Sequence, residues 1–165
     1  HRTNQLLVRD LPPRALSHAD ASNEVIGFAL ALVEDADAVV VATPVYKASY
    51  TGILKSFLDL LPQDGLAGKL VLPLATGGSQ CHMLALDYAL RPVLAALSAR
   101  FILPSIYTTS DQLEWIEESG LLLGAPIAAH ISQGGEQLSS ELNALPRHRN
   151  VATVLRHTPI AATIQ

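Results

Sequence analysis

The chain has 165 residues, a formal net charge of -4 and hydrophobic residues at 49% of its positions. These values suit a single domain, residues 1–165, with an aliphatic core, and they argue against a nucleic-acid-binding face, because the one basic cluster at 147–149 is short and typical of a solvated helix end. With one cysteine, no signal peptide and no apolar run of the roughly 18 residues that span a bilayer, we expect a cytoplasmic protein that binds no membrane.

The first half of the chain alternates between apolar runs and amphipathic segments. The run QLLVRD, residues 5–10, predicts a short strand. Apolar residues at helical spacing then predict a helix over 24–34. The run at 38–42 is typical of a buried parallel strand, and we expect it to end at Thr43 and Pro44, because proline cannot donate a ladder hydrogen bond.

The same alternation continues through the middle of the chain. An amphipathic helix is predicted over 54–61, and an apolar run bounded by turns predicts a strand over 70–75. A long helix is predicted over 83–99, with a kink at Pro92. The next apolar segment predicts a third clear strand over 100–107.

The last part of the chain is less regular. Residues 113–123 have no clear assignment, a final helix is predicted over 134–145, and residues 146–165 show little pattern. The alternation of strands and helices over the whole chain predicts a parallel sheet with helices on both faces. In such a sheet, ligands bind beyond the carboxyl ends of the strands.

Three loops follow the predicted strands at that edge of the sheet: residues 43–52, 75–83 and 107–112. In the first loop, Thr43 offers a hydroxyl, Pro44 stiffens the turn, Tyr46 offers a flat face and Lys47 a positive charge. Such a set suits a planar ring beside a phosphate or a nicotinamide. An ordinary strand-to-helix turn with incidental polar residues is the alternative interpretation.

The second loop contains Thr76, Gly77, Gly78 and Ser79. Its glycines let main-chain N–H groups approach a ligand, and it precedes a predicted helix, whose first turn favours an anion or an electron-rich ring edge. An ordinary turn would also use two glycines, so this signal is weak on its own.

Other reactive side chains carry weaker signals. We expect Cys81 to be a buried, inert thiol and His82 to be structural. No further His or Cys stands at metal-ligand spacing, which argues against a metal site, and Ser79 lacks a nucleophile-elbow pattern. Tyr88 stands in a helix rich in Ala and Leu, where it either marks a π-bulge, which is often functional, or is an ordinary packed or surface tyrosine.

The stretch 38–97 contains TPVYK, GILK, LPLATGG and DYALRPVL in order, and this combination resembles the NADPH-dependent FMN reductases. Within that family it is most similar to the reductases of two-component alkanesulfonate monooxygenase systems. The resemblance implies a flavodoxin-like three-layer sandwich with a central parallel sheet, FMN and NADPH as cofactors, and hydride transfer from NADPH to FMN. It also implies that reduced flavin passes to a monooxygenase in organosulfonate desulfonation, a part of sulfur metabolism.

The resemblance also implies roles for individual residues. Its TPVYK loop flanks the FMN ring and ribityl chain, a role that falls on Thr43, Pro44, Val45, Tyr46 and Lys47. Its ATGG loop follows the isoalloxazine edge, a role that falls on Thr76, Gly77, Gly78 and Ser79. Tyr88 matches a tyrosine of a π-helix at a tetramer interface, so the implied state is a homodimer or homotetramer. The chemistry is the cofactor's, and no side chain is expected to be catalytic.

One part of the family pattern is missing. The family begins with an apolar strand, a Ser-rich loop that cradles the FMN phosphate, and a helix, and none of these precedes His1. The resemblance makes residues 5–10 the second strand of the family and leaves a gap in the sheet beside it. We expect that the missing part belongs to the protein; otherwise the chain is a fragment that folds differently or pairs with a partner.

Three other functions remain open at this point. Proteins of the same fold include quinone or azo-compound reductases that hold FMN tightly. A non-enzymatic, flavodoxin-like electron carrier is possible in principle, but such carriers are far more acidic and place aromatic residues around the flavin, where only Tyr46 fits here. An inactive scaffold follows only if the phosphate loop is truly absent.

Overall fold

The computed structural model of the chain describes residues 2–117 and 120–145. The strands are β1 (Ala38–Tyr46), β2 (Ser49–Tyr50), β3 (Leu70–Gly77), β4 (Phe101–Ile102), β5 (Ile106–Thr109), β6 (Leu113–Ile116) and β7 (Gly120–Leu123). The α-helices are α1 (Pro13–Ser17), α2 (Glu24–Glu34), α3 (Gly52–Leu58), α4 (Arg91–Ala96) and α5 (Ala125–Ala144). A π-helix covers Leu86–Leu90, and 3-10 turns cover Val8–Asp10, Gln80–His82 and Ser110–Gln112.

The main sheet is mostly parallel. β3 lies at its centre, with β1 on one side and both β4 and β5 on the other, all parallel to it. β2 adds an antiparallel pair at the carboxyl end of β1, and β6 and β7 form a separate two-stranded hairpin. The predicted α/β fold with a parallel sheet is therefore confirmed.

Helices cover both faces of this sheet. On one face, Val71 and Ala75 of β3 belong to the larger core, which also contains buried side chains of α2, α3 and α4. On the other face, Leu72 of β3 packs with Ile106 of β5 and with Ile127 of α5. Side chains alternate between the faces of a strand, so β3 contributes to both cores and is buried along most of its length.

The predicted strand at residues 5–10 does not form. This segment has no regular structure up to Leu7 and then makes the 3-10 turn Val8–Asp10. Leu6 and Val8 pack against the larger core, and the turn lies against α3 rather than beside β1. A strand needs a paired neighbour, and among the described residues this segment has none; Leu6 and Val8 are half-buried and Leu7 is exposed.

β1 continues through Pro44 to Tyr46, so the prediction that it ends at Thr43 and Pro44 is wrong. Among the described residues, the edge of β1 that faces away from β3 is paired only by β2, at Val45 and Tyr46. A strand edge without a partner tolerates a residue that has no N–H to donate.

Two further prolines mark a break on the other side of β3. Pro73 lies between the residues of β3 that pair with β4, which end at Val71, and those that pair with β5, which begin at Leu74. The predicted strand over 100–107 is correspondingly divided at Pro104 into β4 and β5. The missing N–H of Pro73 therefore breaks no pairing on that side.

The predicted long helix over 83–99 is assembled from shorter pieces. The 3-10 turn Gln80–His82 leads through the π-helix Leu86–Leu90 into α4. Pro92 occupies the first turn of α4, where the missing N–H interrupts no helical hydrogen bond. The change of helix type lies just before the residue at which a kink was predicted.

The last predicted helix exists but is longer than 134–145. α5 begins at Ala125, and Gly134 lies in its interior, where a Cβ atom would be 2.5 Å from Cδ1 of Ile106. The glycine therefore marks close packing of the helix on the sheet rather than a helix start. The basic cluster at 147–149 lies outside the described residues. Within the described ranges, no helix is long and apolar enough to cross a bilayer.

Candidate functional site

The three predicted loops meet at one edge of the sheet. β1, β3 and β5 run parallel and in register, so that Pro44, Thr76 and Thr108 form one row across the sheet near the carboxyl ends of the strands. Each loop begins within a few residues of that row. The structure therefore brings together the two segments expected to hold a ligand and places the third beside them.

The first loop is a tight hairpin between β1 and β2. Tyr46 pairs with Ser49, and the two residues between them, Lys47 and Ala48, have φ angles of 52° and 63°. Positive φ at both positions is typical of a type I′ turn, and it costs about 1–2 kcal/mol for each residue other than glycine. Strained backbone of this kind is concentrated at ligand sites, and the turn leaves Tyr46 66% exposed.

Inward-facing residues of this hairpin are part of the protein interior. Thr43 and Val45 are buried, and the Thr43 hydroxyl accepts a hydrogen bond from the backbone N–H of Thr51 at 3.2 Å. Thr51 in turn caps α3, because its hydroxyl accepts from the N–H of Leu54. Of the predicted set in this loop, the exposed members are Pro44, Tyr46 and Lys47.

In the second loop, the two glycines have different surroundings. Gly77 is buried, and a Cβ atom there would overlap the hydroxyl of Tyr107. Gly78 is exposed, with no atom within 4 Å of the position that a Cβ would occupy. Thr76 is half-buried, and Ser79 caps the next 3-10 turn by accepting from the N–H of Cys81 at 3.2 Å.

The third loop is held by one glutamine side chain. Oε1 of Gln112 accepts from the backbone N–H of Thr109 at 2.9 Å and from the hydroxyl groups of Thr108 and Thr109. Ser110 then donates from its hydroxyl to the carbonyl of Gly77 at 3.3 Å. The third loop is therefore connected directly to the second.

Tyr107 is the site-adjacent residue whose role the sequence did not indicate. It is buried at the second position of β5 and donates from its hydroxyl to the carbonyl oxygen of Ser79 at 2.7 Å. Burial raises the pKa of Tyr107 because it penalises the phenolate. A tyrosine within an apolar strand is indistinguishable by pattern from an ordinary core residue.

Cys81 is exposed, so the expectation of a buried thiol is wrong. It lies on the 3-10 turn that follows the glycines, where the chain leaves the sheet for the surface. His82, on the same turn, is half-buried. Within the described residues, no three His, Cys, Asp or Glu side chains are grouped so that they could hold a metal ion.

Tyr88 lies on the π-helix and is 79% exposed. The backbone N–H of Tyr88 donates to the carbonyl of Leu84, and Leu84 and Met83 are also largely exposed. Asp87 and Arg91 form an ion pair of 3.3 Å on this segment. Tyr88 of the π-helix, together with Met83 and Leu84 of the turn before it, therefore presents large side chains outward.

A planar ring with a polar edge fits the edge formed by these loops. Tyr46 supplies an exposed flat face, and the open space at Gly78 lets a ligand reach the main chain. This arrangement can bind and orient a ligand that carries its own reactivity.

Comparison with known proteins identifies the family of the chain. A family model described as NADPH-dependent FMN reductase matches residues 3–114. An FMN reductase (NADPH) of Pseudomonas putida KT2440 is 43% identical over 154 residues, which cover 93% of this chain and 73% of the relative. An FMN reductase (NADPH) of Escherichia coli K12 is 46% identical over 106 residues, but these cover only 56% of it.

Solved structures are also similar to the chain. An apo crystal structure of the NADH:FMN oxidoreductase EmoB superposes with a TM-score of 0.76 and 42% identity, covering 86% of this chain and 72% of that one. An oxidoreductase from Corynebacterium diphtheriae gives a TM-score of 0.71 at 31% identity, covering 84% of this chain and 74% of that one.

Proposed function

Because this chain belongs to the NADPH-dependent FMN reductases, a family of NAD(P)H-dependent oxidoreductases, we propose that it binds FMN at the edge formed by β1, β3 and β5 and reduces it with NADPH. The observation that carries this proposal is the meeting of an exposed aromatic face, Tyr46, with open main chain at Gly78. The in-register ends of the parallel strands bring these two features to one edge.

Some residues of the first loop contact the ligand, and others hold the loop in place. Tyr46 packs against the ring system, and Lys47 provides a positive charge for a phosphate of FMN or of the nucleotide. Pro44 borders the same space from β1. Thr43 and Val45 act from the interior, since both are buried and Thr43 holds the loop through Thr51.

The second loop supplies main-chain groups. When bound, FMN supplies the hydride acceptor, so the chain itself needs no nucleophile or general acid. Backbone N–H groups around Gly77 and Gly78 favour the negative charge of the reduced flavin, and Thr76 and Ser79 flank them. These groups are fixed before the reaction, which is why they stabilise charge without reorganisation.

We further propose that reduced FMN leaves this edge and supplies a flavin-dependent monooxygenase that acts on organosulfonates, a step in sulfur metabolism. The exposure of Tyr46 and Gly78 favours release, because neither is covered by other described residues. We also propose that Tyr88, on its exposed π-helix, joins copies of the chain into a homodimer or homotetramer.

The test of the central proposal is NADPH oxidation followed by absorbance, with and without added FMN and with NADH in parallel. We expect a rate that rises and saturates with FMN and a preference for NADPH. Tyr46→Ala is expected to raise the KM for FMN about three- to tenfold through loss of the aromatic contact.

A matched control is available on α2. Phe28 is as exposed as Tyr46, at 68%, but lies away from the loops. Phe28→Ala is therefore expected to leave the KM for FMN unchanged. Folded protein that binds FMN without oxidising NADPH would contradict the reductase proposal and favour an electron carrier, whereas equal effects of both variants would place the flavin elsewhere.

A further inference from the structure

We propose that Tyr107 is a positioning residue for FMN, whose hydroxyl fixes the backbone of residues 77–79 in the form that binds the flavin. This inference rests on the proposed function, because it concerns the same loop. Tyr107 itself is buried and lies beneath that loop, so it acts through the main chain rather than by touching the ligand.

The register of the sheet explains the contact. Tyr107 of β5 is directly opposite Ala75 of β3, so its side chain shares a face with Ala75 and with Gly77, two residues farther along β3. Ala75 is small and Gly77 has no side chain, which leaves room for the phenol ring. The ring passes under Gly77, and its hydroxyl donates to the carbonyl of Ser79 at 2.7 Å.

Gly77 and Tyr107 therefore form a complementary pair. A Cβ on Gly77 would overlap the Tyr107 hydroxyl and would lie 3.1 Å from Cζ of the ring. Any side chain at position 77 must push either the ring or the loop aside. The absence of a side chain at position 77 is what allows the hydroxyl to reach Ser79.

Few other contacts fix the exposed part of the loop. The Ser110 hydroxyl holds the carbonyl of Gly77 at 3.3 Å. Ser79 otherwise bonds only locally, because its hydroxyl accepts from the N–H of Cys81 and its carbonyl accepts from the N–H of His82 at 3.1 Å. Gly78 has open space where a Cβ would be. The bond from Tyr107 is thus the link from the buried sheet to the far side of the glycines, and burial keeps the phenol protonated and able to donate.

The first test replaces the hydroxyl alone. In Tyr107→Phe the ring still fills its space, but the Ser79 carbonyl keeps only its local bond from the backbone N–H of His82 and is no longer tied to β5. We expect the Kd for FMN, measured by quenching of flavin fluorescence, to rise roughly five- to tenfold. The KM for FMN should rise by the same factor, and the KM for NADPH should not change. A purely structural role would lower the thermal unfolding midpoint without changing the FMN constants of the folded fraction.

The second test is a double-variant cycle. Gly77→Ala is expected to weaken FMN binding at least about tenfold, because the new methyl group meets the Tyr107 hydroxyl. Adding Tyr107→Phe removes the overlapping atom, so the double variant should bind FMN more tightly than Gly77→Ala alone, although Tyr107→Phe by itself weakens binding. Gly78→Ala, which meets nothing, should combine additively with Tyr107→Phe.

The outcomes separate this inference from the proposed function. If the wild-type chain neither binds FMN nor oxidises NADPH, the proposed function fails, and the inference fails with it. If the wild-type chain is active and Tyr107→Phe has wild-type constants for FMN, or if Tyr107→Phe does not rescue Gly77→Ala, the proposed function stands and the positioning role is overturned.

Discussion

At the residue scale, the loops at the carboxyl edge of the sheet are held by hydroxyl groups of the strands and turns. Thr43 accepts from the N–H of Thr51, Tyr107 donates to the carbonyl of Ser79, and Ser110 donates to the carbonyl of Gly77. Each of these bonds joins two loops or a loop to a strand. The side chains that hold the site are therefore different from the exposed groups that would contact a ligand.

Thr43 offers a direct measure of such a bond. Thr43→Val keeps the shape of the side chain but leaves the N–H of the half-buried Thr51 without its acceptor, so we expect the free energy of unfolding to fall by about 1–2 kcal/mol. Urea unfolding measures the change. The control is Ser17→Ala on α1, whose exposed hydroxyl only bonds locally to Arg14 and whose loss should cost less than about 0.5 kcal/mol. Equal changes in the two variants would contradict the prediction.

Tyr107 also predicts a dependence of stability on alkaline pH. Burial raises the pKa of Tyr107 above its ordinary value of 10.0, so the folded chain keeps a proton that the unfolded chain loses. The resulting stability is fully present below pH 10.0 and is lost as the pH rises through the raised pKa. Above pH 10.0, the free energy of unfolding, measured by fluorescence, should fall less steeply with pH in Tyr107→Phe than in the wild type.

The same experiment has a companion variant. Burial also raises the pKa of Tyr50, so Tyr50→Phe should also make the loss of stability at alkaline pH less steep. An unchanged slope in Tyr107→Phe would mean that the phenol titrates alike in the folded and unfolded chain. Such a result would contradict the buried, donating hydroxyl on which the contact with Ser79 depends.

At the element scale, α5 contains two adjacent glycines with opposite surroundings. A Cβ on Gly134 would lie 2.5 Å from Cδ1 of Ile106, whereas a Cβ on Gly135 would meet nothing within 4 Å. Gly135→Ala should therefore stabilise the chain by about 0.5–1 kcal/mol through helix propensity alone.

For Gly134→Ala, the same gain in propensity is opposed by crowding against a buried isoleucine. Overpacking of this kind costs about 1–3 kcal/mol, so Gly134→Ala should be less stable than Gly135→Ala by that amount. Chemical denaturation of the two variants gives the comparison. If the two are equally stable, α5 does not pack on β5 as closely as the structure shows.

The sequence predicted elements best where the signal was local. Continuous apolar runs marked β1 and β3, and helical spacing marked α2. Because parallel strands end at a common edge, the runs also predicted that the loops after β1 and β3 would meet. None of these inferences required knowledge of which strand lies beside which.

Elements that depend on distant partners were not predictable. Within the described part of the chain, the segment 5–10 has strand-like residues but no strand beside it, and Pro44 and Pro73 are tolerated because of where pairing stops. The contact of Tyr107 with Ser79 joins residues from different strands. Such facts arise from the arrangement of the sheet, which residue patterns along the chain do not contain.

At the scale of the whole molecule, the π-helix is the surface on which association is expected. Tyr88 is 79% exposed, and Leu84, one turn earlier, is 52% exposed. Large exposed side chains on neighbouring turns favour contact with another protein. The partner proposed above is a second copy of the chain.

Tyr88→Ala tests this association. An aromatic side chain at the centre of an interface commonly contributes much of the binding free energy, so the dissociation constant of the assembly should rise about tenfold or more. Sedimentation velocity over a dilution series measures it. Trp115 on β6 is a matched control at 75% exposure, and Trp115→Ala should leave the assembly intact. A monomeric wild type, or equal loss in both variants, would mean that the π-helix does not join copies of this chain.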